Sequence, residues 1–491
     1  MKLLEVLVFG IYGLCLAFIF CYSLVQLQLT LLYLWTKRKA RQRPPSFPAP
    51  AEWPRVSVQL PVYNERYVVE RLIDAIMALD YPAGKLQVQV LDDSTDDTSR
   101  LVAARVAHYQ AMGRDISHLT RPHRQGFKAG ALQHALPLAT GDFIAVFDAD
   151  FLPRPDFLRL TIPAFTSPGI GVVQTRWGHL NQNYSLLTRL QAFGLNAHFT
   201  IEQVARNAGG HFINFNGTAG VWRKSCIVDA GSWQPDTLTE DLDLSYRAQI
   251  RHWQFIYLEQ VEAPAELPAS MPAIKSQQFR WTKGAAETTR KNLLPVLFSR
   301  HSLLTKVNAA FHLLNSTVFV GVLLAGLLSI PILLLKMDFP VTAKVYSISF
   351  SYAISLFALL TFYWVSFRAR NSSQGWSGFR FLPQFFLFLS ITMGLSLHNS
   401  IAVMEGYLGI KTPFIRTPKF NLRQTRDSWE NSSYARQKLP LSTWLEGLLC
   451  LYFLGGIFLG LYLRDYVMLP FHIMLSLGFG LVCYYSVKHS R

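Results

Sequence analysis

Cysteine is scarce: the 491 residues include five, of which Cys15, Cys21, Cys450 and Cys483 fall inside apolar runs and Cys226 stands alone. None has the spacing of a zinc site or a disulfide framework, which excludes a metal-stapled or disulfide-built scaffold. A glycine-rich phosphate loop, of the G-x-G-x-x-G or the Walker kind, is also missing after the first predicted strand. Rossmann and P-loop enzymes drop out with it, and any nucleotide phosphate bound here needs another counter-charge. Acidic residues are outnumbered, 31 against 47 Lys and Arg, for a formal net charge of +16. The first basic cluster flanks an apolar helix and no nucleic-acid recognition fold is visible, so the excess is read as a membrane-topology signal and a basic membrane-facing surface.

Long apolar runs are abundant. Half of the residues are hydrophobic, and they come in blocks. The first block, Leu3 to Trp35, exceeds the roughly 20 residues that cross a bilayer. It is too long for a secretory signal and no small-residue cleavage site precedes Lys37, Arg38, Lys39, Arg41 and Arg43, so it is expected to stay as an anchor. The basic cluster places the chain beyond it in the cytosol. Further apolar segments run over 307–335, 345–367, 381–409, 441–463 and 466–487. If all five crossed, the basic loop after Gly409 would lie outside, against the charge rule. Segment 381–409, which contains Pro383, Gly394, His398 and Glu405, is therefore expected to be re-entrant or interfacial, returning that loop and the KHSR tail to the cytosol. The expected plan is an N-terminal helix over 1–36, a basic Pro-rich extended linker over 37–54, a catalytic-type domain over 55–300, and a membrane region over 301–491 with a cytosolic loop at 411–440.

Between the anchor and the later segments the pattern changes. VSVQLPVYNE, LQVQVLDDS and DFIAVFDAD are short Val- and Leu-rich runs separated by helical-length stretches. Alternating strands and helices predict a parallel sheet with right-handed crossovers. Ligands of such sheets bind beyond the carboxyl ends of the strands, and here those ends carry Asp92 and Asp93, then Asp148 and Asp150. Read alone, each cluster has a plainer use. DDSTDDT suits a helix cap. DAD suits a turn, although two carboxylates one residue apart also suit a hard cation, Mg²⁺ or Mn²⁺, that bridges substrate phosphates. The TED at Thr239 to Asp241 suits a capped helix start as well as a general base. SQQFRWTKG suits an amphipathic helix with an interfacial Trp.

Taken together, PVYNE, VLDDSTDDT, QGFKAGAL, FDADF, FNGTAGVWR, TEDLDL and QQFRW stand in one order between about residues 55 and 290. This series resembles the family 2 processive glycosyltransferases, and among them the plant cellulose synthase-like A and C proteins. The resemblance implies an α/β GT-A domain, a nucleotide-sugar donor and a metal cofactor, Mg²⁺ or Mn²⁺. It assigns Asp93 to the nucleoside, with Tyr63, Glu65, Lys128 and Asp148 also in the donor site. Asp148 and Asp150 would hold the metal, and Asp241, beside Glu240, would deprotonate the acceptor hydroxyl. Arg280 would contact the diphosphate, where a planar guanidinium suits bidentate contact. Gln277, Trp281, Phe215 and Gly217 would line the acceptor site, the Trp ring offering a broad apolar face.

One base without a paired nucleophilic carboxylate implies single displacement with inversion. FIRTPK resembles the F-x-V-T-x-K gating loop of cellulose synthases, through Phe414, Thr417 and Lys419, with Arg416 where Val is usual. The sequence shows neither a cyclic-dinucleotide-binding domain after the membrane segments nor a zinc-binding N-terminal domain, so regulation by either route is not expected. The implied function is processive synthesis of a β-1,4-linked mannan, glucomannan or glucan from GDP-mannose or UDP-glucose, with the growing polysaccharide passed across the bilayer. Accessory export subunits are compatible with this, a nucleic-acid partner is not expected, and a bacterial inner membrane is favoured over the Golgi. The alternatives are transfer of one sugar to a ceramide or polyprenol lipid, or a transporter or scaffold with a degenerate catalytic domain.

Overall fold

The computed structural model describes residues 3–40, 47–338, 342–371, 378–422, 427, 429 and 439–490. Arg41, Arg43, the rest of linker stretch 41–46, most of the basic loop beyond Leu422 and the last residue of the KHSR tail lie outside the described residues.

The sheet has seven strands: β1 (Val56–Val62), β2 (Leu86–Asp92), β3 (Ile116–Thr120), β4 (Phe143–Val146), β5 (Ile170–His179), β6 (Gly220–Arg223) and β7 (Gln254–Ala265). Their order is β3-β2-β1-β4-β6-β5-β7, and β6 alone runs antiparallel to its neighbours. The three expected strands are β1, β2 and β4, paired in parallel at the centre. Their nearly unbroken burial, with Pro61 alone half-buried in β1 and every residue of β4 buried, is what a strand covered on both faces requires, and it explains their apolar runs. Polar residues inside them pair across strands, as Gln59 Nε2 donates to Gln89 Oε1 at 2.9 Å. Strands β3, β5, β6 and β7 had no comparable signature, since their placement depends on neighbours distant in sequence. The central parallel strands bring Asp92, Asp93, Asp148 and Asp150 to one edge.

Among the described residues, four helices are long and apolar enough to cross a membrane: Glu5–Lys39, Leu303–Leu335, Leu441–Tyr462 and Leu469–Lys488. Another helix spans Thr342–Arg370. The segment expected to be re-entrant or interfacial forms two helices, Gly378–Gly394 and Ser396–Leu408, bent by 49° at their junction. A backbone contact marks the bend: a Cβ on Gly394 would lie 2.3 Å from the carbonyl carbon of Gly478. The second half packs along the 28-residue helix Met271–Phe298, which carries the QQFRW motif. Lys283 of that helix is fully buried and donates to Glu405 Oε2 at 2.9 Å and to Thr412 Oγ1 at 2.8 Å, tying sheet domain, kinked pair and basic loop together.

Candidate active site

A cavity of about 200 Å³ opens at the carboxyl edge of the central strands. Asp93 comes directly after β2, Asp148 and Asp150 come after β4, and Glu240 and Asp241 open the helix Glu240–Ile250. The Met271–Phe298 helix contributes Gln277, Arg280 and Trp281, and Phe414 to Lys419 cover it. Tyr63, Glu65, Lys128 and Gly217 complete this set.

Local backbone geometry explains several of these positions. Gly126 and Phe127 both have positive φ, 71° and 49°, a sharp turn that starts a new helix and sends Lys128 toward β4. Lys128 Nζ then donates to Asp148 Oδ1 at 2.6 Å and to the Gly217 carbonyl at 2.8 Å. Gly217 has φ of 77°, and a Cβ there would sit 3.0 Å from Asp241 Oδ2, so glycine is required both by conformation and by space. The amide of Asp148 donates to Thr218 Oγ1 at 2.9 Å, fixing the loop against the strand end.

The basic loop is docked by charge. Lys419 Nζ donates to Asp150 Oδ2 at 2.6 Å and to the Glu266 carbonyl at 2.8 Å. The amides of Phe420 and Asn421 donate to the Glu266 carboxylate. Arg416, the departure from the family pattern, lies 3.1 Å from Glu65. Burial first, with the charge of Asp150 adding and Arg416 opposing, pushes the Glu65 carboxyl up to about 8. Arg280 donates to Thr417 Oγ1 at 2.8 Å and lies over the Phe414 ring.

Carboxylates in this cavity are paired with cations, with one exception. Asp93 meets Arg121, Asp148 meets Lys128, Asp150 meets Lys419, Glu65 meets Arg416, Glu266 meets Arg71, and Glu240 lies 3.9 Å from Lys128. Among the described residues, Asp241 alone of the cavity carboxylates has no ion pair within 4 Å. Burial, reinforced by the negative Glu240 next to it, pushes its carboxyl up to about 7. A carboxylate poised there can accept a proton from a hydroxyl at neutral pH.

Asp148 and Asp150 offer oxygen donors only, and no group of three or more His, Cys, Asp or Glu suited to a metal exists among the described residues. Two carboxylates lining one cavity fit a hard divalent cation that would keep its other positions for water and substrate phosphates.

Phe215 is placed differently from its expected acceptor role. It is fully buried beneath the cavity, against Trp222 at 5.3 Å and Trp233 at 6.4 Å, because the loop turns its aromatic ring into the core and leaves the half-buried Asn216 and the buried Gly217 to line the cavity. Residues not foreseen from the sequence also line the cavity: Trp177, 6.4 Å from Trp281, together with His179 and Glu266. Arg124 stacks on Tyr63 at 3.4 Å and lies near Phe127 and Phe414. Behind Asn216, His198 bridges Asn216 Oδ1 and Glu202 across a single π turn, His198–Glu202. Sequence signals for these were weak: Trp177 and His179 alternate along β5, but the sequence did not indicate which face they occupied.

An open, mostly parallel sheet with paired carboxylates at its strand ends, covered by an interface helix and a basic loop, is a GT-A domain joined to helices long enough to cross a membrane. Residues 54–284 match the family model described as "Glycosyltransferase like family 2". The chain is 40% identical over 284 residues to glucomannan 4-beta-mannosyltransferase 7 of Arabidopsis thaliana, covering 57% of this chain and 50% of that protein. It is 36% identical over 368 residues to probable glucomannan 4-beta-mannosyltransferase 3 of Oryza sativa subsp. japonica, covering 72% and 63%. The chain thus spans about half the length of most of the curated relatives it matches. A mannosyltransferase from Pyrobaculum calidifontis, solved with GDP-Man and Mn2+, superposes with a TM-score of 0.52 over 81% of this chain and all of that one at 18% identity, a likeness of fold. Residues 54–284 thus carry a glycosyltransferase family 2 domain.

Proposed function

We propose that this chain is an inverting, processive hexosyltransferase that extends a β-1,4-linked mannan, glucomannan or glucan from GDP-mannose or UDP-glucose on the cytosolic face and passes it into its membrane helices. The observation that carries the reading is Asp241, among the described residues the one cavity carboxylate without an ion pair, poised near neutrality beside acids that are matched by cations. The matched relatives' names describe 4-beta-mannosyl transfer, which supports a hexose donor.

In this reading the donor diphosphate lies between Arg280, Lys128 and the strand-end acids, with the nucleoside toward Asp93 and Tyr63. Asp148 and Asp150 hold a divalent cation, Mg²⁺ or Mn²⁺, which neutralises the leaving diphosphate when bound. A Mn²⁺-containing mannosyltransferase of the same fold is consistent with this. Lys128 and Lys419 are the positive charges already facing those two acids, so the basic loop acts as a cover that closes on a bound donor. Trp281 and Trp177 present ring faces to the acceptor sugar, and Gly217 leaves room for its hydroxyl beside Asp241. Asp241 removes the hydroxyl proton as the oxygen attacks the anomeric carbon and the diphosphate departs, so an α-linked donor yields a β-linked product. Domain limits at 37–54 and 55–300, a cytosolic 411–440 loop and a non-crossing Phe381–Gly409 belong to this proposal. The 49° bend and the packing of Ser396–Leu408 along the Met271–Phe298 helix support the last of these.

A second reading has its own support. A cavity of about 170 Å³ among the membrane helices is lined mainly by apolar and aromatic side chains and, among the described residues, by no charged one, which suits a lipid chain better than a sugar polymer. Transfer of one sugar to a lipid would then be the reaction. Incubating the protein in lipid with Mg²⁺ or Mn²⁺ and labelled GDP-mannose or UDP-glucose, with Asp241→Asn as control, decides between them. Ethanol-insoluble label digestible by a β-mannanase or β-glucanase establishes the polymerase, and label confined to organic-extractable lipid establishes the second reading.

A further inference from the structure

Away from the active site, a cavity of about 850 Å³ lies where the helix Leu186–Ala197 of the sheet domain meets the end of Thr342–Arg370 and the start of Gly378–Gly394. Three arginines, one from each helix, line it: Arg189, Arg370 and Arg380. Among the described residues, no acidic side chain does. Arg370 already holds Glu262 at 3.4 Å, whereas Arg189 and Arg380 have no ion pair among the described residues. Asn183 and Gln384 add amide donors to the same walls. Behind them the cavity is apolar. Phe193 stacks on Tyr363 at 5.2 Å and meets Phe388 at 5.2 Å, so the charged mouth merges into the aromatic surface of the membrane helices.

The height of the cavity relative to a bilayer is set by its neighbours. Thr342–Arg370 ends on Arg368 and Arg370, and Arg368 lies over the Trp364 ring at 5.7 Å, an arginine and tryptophan pairing suited to the headgroup level. An aqueous sheet domain on one side and apolar helices on the other leave the arginines at that boundary.

We propose that this cavity seats the anionic headgroup of a membrane phospholipid, its phosphate held by Arg189 and Arg380 and its acyl chains lying against the Phe193 face. Arginine forks match phosphate geometry, and basic pockets at the cytosolic end of membrane helices attract anionic headgroups. The site is separate from the donor cavity, and lipid binding there requires no turnover, so its test stands or falls independently of the proposed reaction.

The protein purified in a neutral detergent is titrated with fluorescent phosphatidylglycerol and, separately, with fluorescent phosphatidylcholine. Phosphatidylglycerol is expected to bind more tightly, and Arg189→Gln with Arg380→Gln to weaken it about thirtyfold, roughly fivefold per arginine, and to weaken phosphatidylcholine, whose choline already offsets its phosphate, by less. Restoring charge with Lys at both positions recovers most of the affinity, which separates a headgroup contact from loss of fold. Each single Gln variant gives its own fivefold reading if the double variant does not fold. Equal binding of the two lipids, unchanged affinity in the variants, or displacement of the lipid by millimolar inorganic phosphate overturns the assignment, the last by making it a free-anion site.

Discussion

The cavity at the sheet edge and the cavity among the membrane helices are similar in size, about 200 and 170 Å³, and opposite in chemistry. The first contains seven carboxylates, six of them matched by lysine or arginine. The second is lined by residues such as Phe9, Leu16, Val322, Leu359 and Phe471, with Tyr12, Tyr22, Ser355 and Thr392 as its polar members. Buried charge is costly unless paired, so a site that concentrates it must bring its own counter-ions from several elements. A cavity without charge needs only shape. The two regions should therefore fail in different ways: changes in the first remove chemistry and leave the fold, and changes in the second weaken the fold and leave the chemistry.

The largest effect is expected from Asp241→Asn, which keeps shape and removes the base. Transfer should fall by about a hundredfold to ten-thousandfold while donor binding, read by a fluorescent nucleotide-sugar titration, holds. Lost donor binding with intact melting would instead make Asp241 a binding residue. Next is Arg280→Ala, which removes the cation proposed to face the leaving diphosphate. A drop of about a hundredfold to thousandfold in kcat is expected, with a folded protein by thermal melting.

The pH dependence tests the same contrast with a sign. Asp241 must be ionised to act, so kcat/KM should rise with pH through about 7. Its folded value lies above its unfolded one, so its proton stabilises the fold below that range and its contribution is lost as pH rises toward 7. Glu65, pushed up to about 8, acts in the same direction over a wider window. Activity rising while stability falls over the same interval is the expected pair of curves, and Asp241→Asn should flatten the Asp241 part of both. A rate that falls as pH rises through 7 would remove Asp241 from the role of base.

The smallest effect on rate belongs to the membrane region. Gly394→Ala places a Cβ against the Gly478 backbone and should destabilise by about 1–3 kcal/mol in a detergent melt, with transfer per folded molecule close to that of the unaltered protein. A large loss of transfer in a stably folded Gly394→Ala protein would show that the two regions are coupled more closely than their chemistry implies.

How much could be read in advance differs between elements for physical reasons. The central strands were legible because burial on both faces leaves a continuous Val and Leu run, and the acids at their ends came with the topology. Segment 381–409 was expected to be re-entrant or interfacial from Pro383, Gly394 and the charge rule; the bend itself was not foreseen, and the close contact beside it, Gly394 on Gly478, joins residues 84 positions apart. Phe215 was misplaced because a loop sequence does not say which way its aromatic ring turns. Trp177 and His179 were missed because β5 reaches the cavity through pairing with β6 and β7, and no local pattern encodes that partner.

The amino-acid sequence alone determined the apolar blocks, the parallel strand core and the order of acidic motifs, since each depends on residues near one another in the chain. Only the tertiary structure decided which acid keeps a counter-ion. Lys419 reaches Asp150 across 269 residues and Arg416 reaches Glu65 across the same fold, while among the described residues no cation pairs with Asp241 within 4 Å. That difference is a matter of burial and of charges placed by distant segments, and it separates the proposed base from its paired neighbours.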